Sequence, residues 1–148
     1  QPEFMPDMLE TGTINAVGIV GLGSGIDYVV EKGVDNIYKA QQELVYSCIS
    51  QLEQIPNVKI YGTKDAERRA AVVSFNIGDM DSQEVTGILS EEFNIATRGG
   101  MHCTPLAHNR MGTLEQGMVR ASFSGFTTME EINALVNAVA SIASRMEK

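Results

Sequence analysis

After Pro56 the apolar residues of this chain change period again and again, and the order of those changes limits the fold more than any other feature. Val58–Tyr61 reads as a short strand and Gly62–Arg69 as a charged turn. Ala70–Ile77 is the strongest strand signal, rich in β-branched and aromatic residues. Asp81 then stands where a helix N-cap belongs, with Glu84 three residues on as an analogue of a capping box. The stripe of that helix is Val85, Ile88, Leu89 and Phe93. Ile95–Arg98 reads as a short strand entering a loop, and Met118–Phe123 as another strand. In the latter, Val119, Ala121 and Phe123 share one face, which leaves Arg120 and Ser122 on the other. Thr128 and Glu131 box a last helix whose core face is Ile132, Leu135, Val136, Val139, Ile142 and Met146. This order predicts an α+β fold, a small, mainly antiparallel sheet of three to four strands covered on one side by helices.

Upstream the signal is weaker. Residues 1–14 carry Pro2, Pro6 and Gly12 and read as an irregular lead-in. From Ala16, the residues Val17, Val20, Ile26, Val29 and Val30 recur at helical spacing, interrupted by Gly18, Gly21, Gly23 and Gly25. Each interior glycine costs up to about 1 kcal/mol against alanine. Such a helix needs outside support, so residues 14–31 are expected to lie partly uncovered or to be covered by a second copy of the chain. Gly33 punctuates the pattern. A stronger helix follows through about Ile55, with Val34, Ile37, Leu44, Val45, Cys48, Ile49, Leu52 and Ile55 along one stripe, ended by Pro56-Asn57. The predicted organisation is a lead-in and glycine-rich helix over 1–32 and a small α+β domain over 33–148.

Composition narrows the function. The 148 residues suffice for one buried core, and 43% of them are hydrophobic. A net charge of −8 argues against general affinity for nucleic acid, which needs a positive surface. No apolar run reaches the roughly 18 residues of a membrane span. Gln1-Pro2-Glu3-Phe4 lacks the pattern of a secretory signal, and two cysteines do not make a disulfide framework, so a reducing, cytoplasmic setting is expected. Cys48 falls on an apolar helical position and is read as core.

The residues with chemistry to offer lie together. Arg98-Gly99-Gly100-Met101-His102-Cys103-Thr104-Pro105-Leu106-Ala107-His108 sets a thiol in a glycine-rich loop, and Arg120 follows on the next strand. A guanidinium binds a carboxylate through two parallel hydrogen bonds, fixing orientation as well as charge. A thiolate is the reactive form of cysteine, and nearby positive charge favours it. Cys103, Arg98 and Arg120 are therefore read as a site for a small carboxylate-bearing molecule beside a thiol. His102 and His108 with Cys103 offer three ligands, but no second cluster exists to complete a zinc site, and no metal is expected. His102 is read as packing or hydrogen-bonding within the loop. Gly12-Thr13 and the following glycines hint at phosphate binding, with a plain N-cap at Thr13 or Asn15 as the equal alternative.

Three segments in order carry a resemblance: Leu9-Glu10-Thr11-Gly12-Thr13-Ile14-Asn15, the Arg98–His108 loop, and Val119-Arg120-Ala121-Ser122-Phe123 with Thr128-Met129-Glu130-Glu131-Ile132. Together they resemble the C-terminal part of the cysteine desulfurase-like branch of the class V aminotransferases. Ile14 stands where that family usually has proline, and Thr104 where alanine is common.

The resemblance implies a pyridoxal 5′-phosphate enzyme of fold type I, a homodimer that converts cysteine to alanine and an enzyme persulfide. Cys103 would be the persulfide-forming nucleophile. Arg120 would hold the carboxylate of the amino-acid substrate, assisted by Arg98, and Thr13 with Gly12 would reach the cofactor phosphate of the neighbouring subunit. Lys32, Lys39, Lys59, Lys64 and Lys148 lie outside the context of the family's Schiff-base lysine. That lysine would come from a preceding large domain, without which the chain is expected neither to hold the cofactor covalently nor to turn over. A sulfur-acceptor protein is a further implied partner. The alternatives are another class V aminotransferase or a selenocysteine lyase, or, in a different class, a non-catalytic interaction or regulatory domain.

Overall fold

The computed structural model describes residues 2–9 and 12–147. It forms two compact units, Gln1–Ile37 and Tyr38–Lys148. In the first, helix α1 (Ala16–Lys32) starts at Asn15, whose side chain accepts the Gly18 N–H at 3.0 Å, and ends at Gly33, which has a positive φ of 80°. Asn15 is thus the cap, and Thr13 is not. No residue of α1 is buried: Val17, Val20 and Val30 stand 85%, 70% and 75% exposed. The glycine-interrupted helix forms, with its apolar side chains uncovered in the single chain.

Helix α2 (Val34–Leu52) begins in the first unit and continues into the second. There the chain makes strands β1 (Val58–Tyr61) and β2 (Val72–Ile77), helices α3 (Ser82–Phe93) and α4 (Pro105–Met111), strand β3 (Val119–Ser122) and helix α5 (Met129–Ser144). The sheet has three antiparallel strands in the order β1-β2-β3, with Val58 opposite Ile77 and Ser74 opposite Arg120. Alternation along β2 buries Val73, Phe75 and Ile77 completely. They meet Leu44, Val45, Cys48, Ile49 and Leu52 of α2, Val85 and Leu89 of α3, and the α5 stripe of Ile132, Leu135, Val139 and Ile142 in one core. Ser74, Asn76 and Arg120 fall on the opposite face, away from that core. The α+β architecture with helices on one side is the one the periodicities predict.

Helix ends follow capping chemistry. Asp81 accepts the N–H groups of Gln83 and Glu84, and Asn94 closes α3 in the left-handed conformation. Thr128 and Glu131 make a reciprocal capping box on α5.

Four expectations are corrected. Ile95–Arg98 is not a strand: the Ile95 N–H is spent on the Leu89 carbonyl at the end of α3, and only Arg98 pairs with β3. Helix α2 stops at Leu52, because Gln54 and Ile55 tighten onto carbonyls three residues back. Its stripe is buried only from Leu44 onward, Val34 being exposed. Met146 leaves the core face, since the chain enters a 3₁₀ turn at Arg145–Glu147 and places the Met146 methyl against Gly78.

Candidate active site

One hydroxyl organises the segment that carries the thiol. Ser82, the first residue of α3, is buried. Its Oγ donates to the Gln116 carbonyl at 2.7 Å and accepts the Gly100 N–H at 2.9 Å, while its own N–H donates to the same Gln116 carbonyl at 3.1 Å. The Gly100 carbonyl in turn accepts the Met118 N–H at 3.1 Å. Two of the glycines at this knot are required by close contacts. A Cβ on Gly99 would meet the Ser82 carbonyl, which is backbone and cannot step aside. A Cβ on Gly117 would meet Ser82 Oγ, and Gly117 also has a positive φ of 68°. Asn76 of β2 braces the turn from below, donating to the Gly117 carbonyl at 2.9 Å.

Arg98 is fastened to β3 by two reciprocal bonds, its N–H to the Arg120 carbonyl at 3.1 Å and the Arg120 N–H to its own carbonyl at 2.8 Å. From there the chain turns through His102 and Cys103, both with positive φ, at 51° and 61°. Neither is glycine, and each such residue stores on the order of 1–3 kcal/mol of strain. The turn returns the thiol toward its start, with Arg98 Nη2 4.0 Å from Cys103 Sγ. The second half of the expected loop is helical. Pro105 opens α4 at a position where its missing N–H costs nothing, and Gly112 closes it. Cys103 therefore stands exposed in the turn just before a short helix.

The His102 Nε2 donates to the Arg98 carbonyl at 2.9 Å, so this histidine does hydrogen-bond within the loop. Burial holds its imidazole below the ordinary value, the Arg98 carbonyl pulls the other way, and the charges of Arg120, Arg98 and His108 add to the lowering. His108 is buried, bonds to the Thr113 hydroxyl through Nδ1 at 2.9 Å, and meets the His102 ring edge-on with centroids 5.9 Å apart. The half-buried Arg120 has its Nε out of contact with solvent and without a partner. The structure thus brings Arg98, Arg120 and the turn holding Cys103 into one cluster. Beside it lies a hollow of about 230 Å³ lined by Tyr61, Arg69, Ser74, His102, His108 and Met118 among others, none of them acidic. A larger hollow of about 430 Å³ lies at α5 and the end of α3, but its one carboxylate, Glu131, is committed to the capping box.

Gly12 and Thr13 belong to the first unit, in an irregular and exposed stretch. Glu10 and Thr11 of the same motif lie outside the described residues, as does Lys148. Among the described residues no group of three or more His, Cys, Asp and Glu side chains is placed to hold a metal ion, and no helix is long and apolar enough to cross a membrane. Sequence reading missed the part played by Ser82. An Asp-Ser pair opening a helix signals a cap and says nothing of which distant loop the serine ties down.

Cys48 gives the contrast. It is fully buried in α2, and burial pushes its thiol up to about 12, with Arg69 pulling the other way. At about pH 8 a disulfide exchange reagent should therefore titrate one thiol per native chain, Cys103, and the second only after unfolding in urea. Counting released chromophore before and after denaturant checks this.

The family model for class V aminotransferases matches residues 3–135. The chain belongs to that family. A cysteine desulfurase of Escherichia coli O157:H7 is 37% identical over 133 residues, spanning 88% of this chain and 31% of that enzyme. The apo cysteine desulfurase of Thermococcus onnurineus NA1 superposes with a TM-score of 0.85 at 30% identity, covering 95% of this chain and 34% of that one. An Escherichia coli cysteine desulfurase in an S-sulfonic acid form superposes with a TM-score of 0.80 at 25% identity, over 95% and 33% of the two chains. This class V aminotransferase chain thus spans about a third of the length of the relatives it matches. Its α+β domain has the fold of their corresponding parts.

Proposed function

We propose that this chain is the C-terminal portion of a pyridoxal phosphate-dependent cysteine desulfurase, with Cys103 as sulfur acceptor and Arg120 and Arg98 as the carboxylate clamp. The observation that carries the reading is the exposed Cys103 thiol 4.0 Å from the Arg98 guanidinium, with Arg98 locked to Arg120 by paired backbone bonds. A carboxylate held by guanidiniums leaves the side chain of a small amino acid beside the thiol. The Cys103 thiolate then bonds to the substrate sulfur as the substrate's carbon–sulfur bond breaks. The substrate's thiol hydrogen ends on carbon as the third methyl hydrogen of alanine, and Cys103 is left as a persulfide. Bound pyridoxal phosphate supplies the electron sink that lets the carbon–sulfur bond break.

The residues present suit one end of that cofactor. Thr13 offers an exposed hydroxyl ahead of the start of α1, a donor of the kind that phosphate oxygens accept from. Three of the described lysines are already engaged elsewhere in the fold. Lys64 pairs with Glu53, Lys59 lies over the Tyr61 ring at 5.0 Å, and Lys32 closes α1. The attaching lysine belongs, on this reading, to a large domain that covers the apolar face of α1. Assembly as a cytoplasmic homodimer and hand-over of the sulfur to an acceptor protein complete the proposal, as does the division into residues 1–32 and 33–148.

The test is Cys103→Ala in the whole enzyme. Sulfide release from cysteine should fall by at least about three orders of magnitude, since loss of a nucleophile can cost about 10⁶-fold. Unchanged release would remove Cys103 from the reaction, and absence of release from the unsubstituted enzyme would remove the desulfurase reading.

A further inference from the structure

We infer that His102 is a positioning residue, which holds the Cys103 thiol at the carboxylate clamp by sharing the Arg98 carbonyl oxygen with Arg120. That single oxygen accepts the Arg120 N–H at 2.8 Å and the His102 Nε2–H at 2.9 Å. It therefore links both candidate clamp residues to the residue next to the thiol. The link is needed because the turn is strained. His102 and Cys103 are consecutive and both left-handed, and such a pair persists only where its surroundings hold it. On the far side the Met101 carbonyl accepts the Thr104 N–H and hydroxyl, each at 2.9 Å, and Pro105 then fixes the start of α4. On the near side Ser82 Oγ holds Gly100, and the imidazole is the anchor that the strained pair itself supplies.

The environment selects the imidazole form that does this. Arg98, Arg120 and His108 all act on His102 electrostatically. Burial, and after it the neighbouring positive charges, disfavour protonation of the ring, and the one proton of the neutral imidazole sits on Nε2 to meet the carbonyl. Loss of the ring would leave the Arg98–Arg120 bridge bonded. The sheet would stand while the turn relaxed, which separates positioning from folding.

The identity of the substrate rests on the desulfurase reading, and the experiment keeps the two apart. It compares alkylation of Cys103 by iodoacetate and by iodoacetamide in this chain at about 0.15 M salt, with buried Cys48 as the inert internal reference. Iodoacetate carries a carboxylate next to its reactive carbon, so a working clamp raises its rate relative to the neutral reagent. The iodoacetate-to-iodoacetamide ratio should exceed that of glutathione, although the chain carries a net charge of −8. In His102→Phe the ratio should fall about three- to tenfold, the scale of lost placement by one hydrogen bond. In His102→Gln, whose amide N–H reaches the same carbonyl, it should be largely kept. All three proteins should share one thermal midpoint and one circular dichroism spectrum. A wild-type ratio in His102→Phe overturns the inference, as does a ratio in His102→Gln no better than in His102→Phe. A wild-type ratio equal to that of glutathione overturns the carboxylate clamp instead. The inference then stands or falls on the iodoacetamide rate alone, supported by a several-fold change in His102→Phe that His102→Gln restores and overturned by equal rates.

Discussion

Replacing Arg120 with leucine in the whole enzyme should lower kcat/KM for cysteine by about two to three orders of magnitude, the range expected when one partner of a desolvated charge pair is truncated. Arg120 is half-buried, its Nε is shielded from solvent and unpaired, and its guanidinium acts on His102. A group kept out of water without a partner is poised for an incoming anion. Leucine removes the charge and leaves the carboxylate of the substrate uncompensated. Lysine in its place should recover little, because a point charge does not reproduce the two-pronged geometry. Arg98→Leu should cost less, since that side chain is exposed and screened. The variant should fold normally, because Arg120 joins the sheet through its backbone. Steady-state alanine formation with cysteine as substrate measures all three, and an Arg120→Leu enzyme with wild-type kcat/KM would exclude this residue from the clamp.

Phe75→Ala should destabilise the chain by about 3–5 kcal/mol, a large part of the whole stability of a domain this size. Phe75 is completely buried at the centre of the middle strand, flanked in the register by Ile60 and Val119. Removing the ring leaves a void among side chains from two other strands and the covering helices, which cannot all collapse at once. Leu106→Ala gives the internal contrast. Leu106 is 85% exposed on α4, so its loss should stay within about 0.5 kcal/mol. Urea unfolding followed by circular dichroism reports both as shifts in midpoint at constant slope. A Phe75→Ala midpoint close to that of Leu106→Ala would contradict the layered core.

The long elements were legible because their periodicity is a direct image of burial. The α5 stripe from Ile132 to Ile142, the buried half of α2 and the alternation in β2 all follow that rule. Short pieces were not legible, for reasons that can be named. Helix α4 has seven residues, too few to show a stripe, and its N-cap Thr104 makes no side-chain cap bond. Residues 95–98 have strand composition, but the first of them is taken by the end of α3 and the glycines after Arg98 stop the ladder. The three site residues of the second unit were expected to act together, and Arg98, Arg120 and the Cys103 turn do gather. Neither of the bonds that gather them is written in the local sequence. The His102 link depends on two successive left-handed residues that carry no glycine signature. The Ser82 link joins residues far apart in the chain.

The Ser82 knot also bears on engineering. A thiol loop of this kind looks portable, a continuous stretch from Arg98 to Arg120 ready for grafting onto another sheet. It is not self-contained, because the hydroxyl that sets its curvature enters from the start of a helix lying earlier in the chain. A transplant would have to bring that helix start along, at its own distance and angle, or the graft would arrive with its cysteine aimed elsewhere.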